Sequence, residues 1–582
     1  MEALTPARRS RMARVAELAA GRSLGSWMLV LLALGVAYAA FAGGAIQIPD
    51  ETRLQVGIAA AGLLAGIGIA IGALRMPHAP LAWAALAMLA AFALWSSLSA
   101  AWSASPDGSW IAGNRALAYA AVAAIALLAA ASVRRAALLT GVALAGVSLL
   151  VALYALGGKI VPDLEIAGLS LDPGSEFARL REPIGYWNAL GLLCVMATPL
   201  PIWLAAARGP SPRLRIGAAL VLTLLTLTAA LSYSRGAIVA YAAVLAVMVG
   251  AGPRRLPRLG VALAAAAAAA PSIFVAFSLH DLSSGGVALG ERADDGAILG
   301  LVLVLSLAAV ALLGRELIRL EGRVRWTPRR SRQVWLWLAW AAILVLVAGG
   351  GALASSSRGF TGEISHRFEQ FKQPSTAADN SPDRFVSSNG SNRWVWWMEA
   401  VGAFSDKPAA GWGAGSYPVV RHLYRRYEAP ATSAHSVPLQ FLAETGIVGA
   451  WLGLAGVERV RSSRGLERSA RLALLAAAAA WAVHSFYDWD WEIPAVTLPA
   501  LIAAAVAAAP APRPAIGPVA APRAPLLVAV GAALAAVALS ASAALPSLSE
   551  GRRLDALEAA AGGSLREAAE EVELAQRLDP LA

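Results

Sequence analysis

An all-α polytopic membrane protein is the fold class this 582-residue sequence predicts, and three observations predict it. Hydrophobic residues make up 58% of the chain and charged ones only 15%, with a mean hydropathy of +0.61, a balance far from that of soluble domains. Apolar runs of about twenty residues recur along the chain, the length a helix needs to cross hydrocarbon, and too long for barrel strands. Basic residues gather in every second connector, the pattern of loops that stay on the cytoplasmic side. The expected architecture is a helical bundle carrying a partly helical extracytoplasmic loop subdomain.

The elements follow in chain order. Residues 1–26 form a basic cytoplasmic segment with Arg8, Arg9, Arg11, Arg14 and Arg22. The apolar run "WMLVLLALGVAYAAFAGGAI" (27–46) ends in no convincing cleavage site and is followed by further spans, so it reads as a retained helix rather than a signal peptide. Hydropathy marks about fifteen spans: 27–47, 54–74, 79–100, 115–132, 136–157, 184–206, 214–232, 236–250, 256–278, 297–314, 334–354, 437–456, 469–487, 493–510 and 524–546. Basic connectors at 134–135, 208–215, 252–258, 315–332, 459–471 and 512–523 place 101–114, 158–183, 279–296, 357–433 and the tail on the opposite, outer side. The chain therefore divides into the segment 1–26, a first bundle part 27–356, the loop subdomain 357–433, a second bundle part 434–546 and a helical tail 547–582.

The 357–433 segment mixes charge, aromatic residues, Gly, Pro and Asn, and connectors this long are more often functional insertions than passive links. Within it "RWVWWMEAVGAF" (393–404) predicts a helix and "PAAGWGAGSY" (408–417) a Gly-rich turn. In the tail, two helical pieces flank Gly562–Gly563, and the last is similar to the second helix of a tetratricopeptide repeat. It is expected to be a short, truncated repeat-like region or an arm for an envelope protein partner.

The formal charge of +11 sits in connectors without any nucleic-acid-binding module, so nucleic acid is excluded as a partner. The single cysteine, Cys194, lies in an apolar run and reads as a small buried hydrophobe. No HxxH, HExxH or cysteine cluster specifies a metal site, so none is expected.

Polar residues in so apolar a chain need a reason. Arg235, in "LTAALSYSRGAIVAYAAV" (227–244), interrupts two apolar runs; a charge there costs about 2.5–3.5 kcal/mol at mid-membrane, so it snorkels, pairs or binds an anion. Arg181 and Asn188 mark another outer boundary in "REPIGYWNALGLLCVMATP" (181–199), where Asn188 either caps the helix or orients a ligand. Arg115 follows the Trp-rich stretch 94–115 and anchors the next span or meets lipid phosphate. His484 and Asp488 in "WAVHSFYDWDWEIP" (481–494) are four residues apart, the spacing of a shared helical face. His435 precedes an apolar helix that contains Glu444, nine positions on.

The ordered set "LWSSLSAAWSASP" (94–106), "GYWNALG" (185–191), "SYSRGA" (232–237), "NRWVWWMEAVGAFSDKPAAGWGAGSY" (392–417), "AHSVPLQFLAETGIVG" (434–449) and "HSFYDWDWEIP" (484–494) resembles the bacterial O-antigen ligase and O-antigen polymerase superfamily. The resemblance implies a multi-span, metal-independent glycan transferase, without cofactor, that uses an undecaprenyl-diphosphate-linked glycan as donor. The acceptor would be a lipid, a protein or another glycan, and the site would face the periplasmic or extracytoplasmic side of the cytoplasmic membrane. It also implies that His435 is the general base and that Arg235 and Arg393 are phosphate ligands; Arg181 and Asn188, by their place at an outer boundary, are further candidate substrate contacts. Ser436, Glu444, His484 and Asp488 are the supporting residues. The family pattern has His-Asn where this chain has His435-Ser436, so the adjacent amide has no counterpart here.

That division of labour agrees with the chemistry of the side chains. Histidine titrates near ambient pH, and guanidinium groups make multidentate bonds to phosphate. Ligation, polymerisation of lipid-linked repeats, transport of a polyprenyl-linked glycan and a noncatalytic envelope scaffold all remain open at this level.

Overall fold

The computed structural model describes residues 6–166, 169–171, 178–251, 254–321, 323, 327–375, 381–454, 466–510 and 525–582. The basic connector 512–523, and residues 459–465 of its predecessor, lie outside them. The helices are α1 (Pro6–Phe41), α2 (Ile48–Ala70), α3 (Pro80–Leu98), α4 (Pro106–Ser132), α5 (Ala136–Ile160), α6 (Trp187–Ala197), α7 (Pro199–Ala206), α8 (Pro212–Leu231), α9 (Arg235–Gly250) and α10 (Arg255–Ser278). There follow α11 (His280–Ser283), α12 (Leu289–Glu321), α13 (Pro328–Ala354), α14 (Gly359–Lys372), α15 (Arg393–Asp406), α16 (Tyr417–Tyr424), α17 (Val437–Leu454), α18 (Leu466–His484), α19 (Pro494–Ala508), α20 (Pro525–Ala561) and α21 (Leu565–Leu578). One two-residue antiparallel pairing joins Glu165–Ile166 to Leu169–Ser170.

Among the described residues 11 helices are long and apolar enough to cross a membrane, with α6 and α7 acting as one span, and α9 and α19 are shorter apolar helices. Each predicted span overlaps a helix, and three departures from the predicted pattern have a local cause. α4 starts at Pro106, well before the predicted residue 115, because Pro106 and Asp107 suit a first helical turn. α17 is broken at Gly446 (φ 65°, ψ −170°), where a Cβ would lie 2.2 Å from the Ala409 carbonyl oxygen. α20 runs unbroken through Pro546 into the tail, held by α21: Ser549 Oγ donates to the Ala575 carbonyl at 2.9 Å and Arg552 pairs with Glu571 at 3.1 Å.

Described connectors meet in two groups. At one end Glu321, in the connector 315–332, gathers Arg208 and Arg215 from the connector 208–215 and Arg254 from the connector 252–258. At the other end meet the turns after α3, before α6, between α8 and α9, and between α18 and α19, together with α14 to α16. There the Gly-rich turn docks on its neighbours through the backbone. The Ala104 N–H donates to the Trp412 carbonyl at 2.9 Å, Gly413 N–H to the Glu444 carbonyl at 2.8 Å, and Ser109 Oγ to the Ala414 carbonyl at 2.6 Å. Gly413 (φ 102°) is needed for that approach, since a Cβ would stand 2.1 Å from Ser103 Oγ.

Candidate active site

His435 sits where the loop subdomain returns to the bundle, two residues before α17. Its backbone is left-handed (φ 49°), a conformation that costs a non-glycine residue energy and persists only where the surroundings hold it. They do so on both sides: Trp397 Nε1 donates to the His435 carbonyl at 3.2 Å, and the Val437 N–H donates to the Ser485 carbonyl at 2.8 Å. The imidazole lies over Trp396, with ring centroids 4.4 Å apart, and 6.2 Å from Trp489. Nδ1 is engaged by Ser433, at 3.1 Å from its hydroxyl and 3.4 Å from its carbonyl oxygen. Burial pushes the imidazole down to about 4; nearby Asp488 raises it and the Arg393 cation lowers it. His435 is therefore neutral at physiological pH.

Asp488 is the hub of the site. Its carboxylate accepts from Asn188 Nδ2 at 2.6 Å, the Tyr186 hydroxyl at 2.9 Å, Arg393 Nη2 at 3.0 Å and the Trp489 N–H at 3.0 Å. Burial alone would raise this carboxyl; Arg393, the histidines and the Tyr186 hydrogen bond outweigh it and hold it below the ordinary range. Arg393, the first residue of α15, also donates from Nε to the Tyr487 carbonyl at 2.8 Å. One buried carboxylate thus joins the start of α6, the start of α15 and the α18–α19 turn. Asn188 neither caps its helix nor faces outward, because its amide is given to Asp488 and Tyr186.

A second guanidinium is buried beside this pair. Arg179 donates from Nε to the Ser232 carbonyl at 3.1 Å, reaches Asn188 Oδ1 at 3.5 Å and lies 4.1 Å over the Trp187 ring. It forms no ion pair among the described residues. Burial, then the neighbouring cations Arg384 and Arg393, push it down to about 9, against the pull of Tyr186 and Asp488. Arg384 is also buried and donates to Ser391 Oγ at 3.0 Å. Arg235, in the first turn of α9, holds the carbonyls of Ser387 and Asn389 at 2.7 and 2.5 Å, so it organises the segment that leads into α15.

The short motifs interlock through their small residues. A Cβ at Gly236 of "SYSRGA" would lie 2.6 Å from His484 Nε2, and one at Gly191 of "GYWNALG" 2.6 Å from Ser232 Oγ. Tyr487 donates its hydroxyl to the Gly236 carbonyl at 2.9 Å. These glycines let α6, α9 and the α18–α19 turn approach closely enough to bring Asn188, Arg235 and Asp488 to one end of the bundle.

Other predicted residues serve the frame. His484 hydrogen-bonds Asp490, at 2.8 Å, instead of Asp488, because α18 ends at His484 and the four-residue helical spacing lapses. Glu444 accepts from the N–H groups of Gly415 and Tyr417 at 3.0 and 3.2 Å, and so clamps the Gly-rich turn without contacting His435. Ser436 is buried, and its carbonyl accepts the Gln440 N–H at 2.9 Å as α17 begins. Arg181 pairs with Glu182 at 3.3 Å, and Arg115 pairs with Glu51 from Nε and Nη2 at 2.7 Å each.

Sequence reasoning missed Arg179, Arg384 and Tyr186, and it matched His484 to Asp488 where the partner is Asp490. Arg179 stands two residues before Arg181 in "RLREPIGYWN", and the chain alone gives no reason to prefer one arginine over the other. Among the described residues no group of three or more His, Cys, Asp or Glu side chains has a metal-holding arrangement.

Residues 285–453 match the protein-family model described as O-antigen ligase. The matched segment contains Arg393, His435 and Glu444, while Arg179, Asn188, Arg235 and Asp488 come to the same site from outside it. No curated protein and no solved structure matches the chain.

Proposed function

We propose, on the premise that residues 285–453 of this membrane protein match the O-antigen ligase family model, that it is a glycan ligase. It transfers an oligosaccharide or polysaccharide from undecaprenyl diphosphate to a hydroxyl of an envelope acceptor. The site faces the extracytoplasmic side of the cytoplasmic membrane. The observation that carries this reading is the buried convergence of Arg179 and Arg393, with Arg384 alongside, next to a neutral histidine. Asp488 offsets Arg393, and Arg179 is held by a carbonyl, an amide and an indole face. An anion between them would relieve the repulsion that Arg384 and Arg393 exert on the Arg179 cation.

The chemistry follows from those groups. In the tautomer that donates from Nδ1 to the Ser433 carbonyl, the Nε2 lone pair is left for substrate. Nε2 takes the proton of the acceptor hydroxyl as its oxygen bonds to the anomeric carbon. The bond from that carbon to the diphosphate oxygen breaks, its electron pair leaves on the diphosphate, and Arg179, Arg235 and Arg393 offset the charge. A single displacement inverts the anomeric configuration. Asp488 keeps Arg393 oriented and stabilises the imidazolium, for which Coulombic attraction is strong in a dry site.

Because guanidinium groups supply the positive charge, transfer is expected to continue after exhaustive chelation. The direct test supplies purified protein with a defined undecaprenyl-diphosphate glycan and, separately, lipid, protein and glycan acceptors, and reads the products by mass. Glycan joined to a non-donor acceptor with inverted linkage is the expected result. Longer lipid-linked glycans alone would identify a polymerase. Donor moved across vesicles with no covalent product would overturn the transferase reading in favour of transport.

A further inference from the structure

We infer that the cleft between α14 and the segment Val386–Asn389 is a glycan-binding subsite, which receives the sugars of the donor or the acceptor beside the reacting centre. This rests on the transferase reading above and names where its polyhydroxylated substrate is held.

The cleft has a volume of about 650 Å³, within the range of pockets that take ligands of a few rings. Its lining is almost wholly polar: guanidinium groups from Arg358 and Arg367, amides from Gln370 and Gln373, and hydroxyls from Ser387 and Ser388. Such a surface offers an apolar lipid tail nothing, whereas a sugar presents hydroxyls that both donate and accept. α14 sets this chemistry by its two faces. Phe360, Ile364 and Phe368 recur every four residues, each about half exposed, as expected of a helix lying in the membrane interface. Glu363, His366, Arg367 and Gln370 occupy the adjoining face and line the cleft.

Both walls are held by residues of the active site. Arg235 grips the carbonyls of Ser387 and Asn389 on one side. On the other, Asn392, the residue before Arg393, exchanges hydrogen bonds with the Ser375 backbone at 2.7 and 2.9 Å. Arg367 reaches across to Ser388 Oγ at 3.5 Å, and Glu363 steadies Arg358 and Arg367 at 3.4 and 3.0 Å. The cleft is therefore preorganised, and its position is tied to Arg235 and Arg393, two of the three arginines that would meet the diphosphate.

The test uses full-length protein in nanodiscs and two variants at exposed positions that leave the site arginines untouched. Gln370→Trp fills the cleft, and Gln370→Ala with Gln373→Ala removes its amides. Free glycan, without lipid or diphosphate, is followed by saturation-transfer NMR, and KM is measured separately for donor and acceptor. The wild type is expected to transfer saturation to the glycan and both variants to lose it. One KM should rise by about tenfold, the loss expected from one or two neutral hydrogen bonds, with kcat little changed. A rise for the donor assigns the cleft to the donor glycan, and a rise for the acceptor alone assigns it to the acceptor. Unchanged saturation transfer in both variants, or both KM values unchanged while the wild type turns over, overturns the subsite. If the wild type turns over with no acceptor, the transferase reading fails by itself, and the NMR comparison still decides whether the cleft binds sugar.

Discussion

Replacing Asp488 by asparagine should both destabilise the protein and disarm it. The change is nearly isosteric, yet it deletes the negative charge and presents an NH2 where donors from Asn188, Tyr186, Arg393 and Trp489 now converge. Arg393 would be left buried against the Tyr487 carbonyl, with its side chain only 13% exposed. Breaking one side of a buried ion pair costs about 3–5 kcal/mol, because the remaining charge is uncompensated. Removing Arg393 as well, as Asp488→Asn with Arg393→Met, takes that charge away, so the two losses should not add. Turnover should fall about 100-fold or more, since displacing a positioned cation by an ångström already costs that much. Unfolding in mixed micelles, followed by tryptophan fluorescence, measures the first effect, and glycan transfer measures the second. The pH dependence carries its own sign. The folded-state value of Asp488 lies below its unfolded value of about 3.9, so the pair contributes fully above that pH and its contribution is lost only in stronger acid. The stability gap between wild type and variant should therefore be constant from pH 5 to 8. A loss under about 1 kcal/mol, or strictly additive losses in the double variant, would refute the hub role.

His435→Gln should reduce transfer by about 10²–10⁴-fold, the usual worth of a general base, while donor binding persists; full activity in the variant would remove the base assignment. With the free imidazole held at about 4, the acid limb of kcat/KM should lie near that value instead of near 6.5, and the limb of kcat should lie higher once a bound diphosphate stabilises the imidazolium. Arg179→Ala should raise KM for the lipid-linked donor more than Arg181→Ala does, because Arg179 is buried beside Arg393 whereas Arg181 already pairs with Glu182; equal effects would show that burial does not select the phosphate ligand. Gly413→Ala should destabilise the loop subdomain by about 1–3 kcal/mol, since its positive φ and the close approach of Ser103 leave no room for a Cβ. Limited proteolysis of residues 357–433 reads that loss, and wild-type resistance would contradict the docking of the turn.

The sequence by itself determined the helical bundle, for physical reasons that act locally. Run length and hydropathy dictate helices in hydrocarbon, where every backbone group must be bonded within its own segment. Basic connectors report sidedness, and Glu321 does gather arginines from two others, 208–215 and 252–258. His435 and Arg393 were singled out by motifs that resemble a known family, while the Gly-rich turn that Glu444 clamps was legible from its composition. What only the tertiary structure decided was partnership. Asp488 and Asp490 are two residues apart in one acidic stretch, and nothing local assigns Asp490 to His484 and Asp488 to Arg393. The end of α18 at His484 cancels the helical spacing that suggested otherwise, and the choice falls to groups delivered from α6 and α15, hundreds and tens of residues away in the chain. The same holds for Arg179 and Arg181: burial beside Arg393 distinguishes them, and burial is a property of the packed bundle that a short stretch of sequence does not contain.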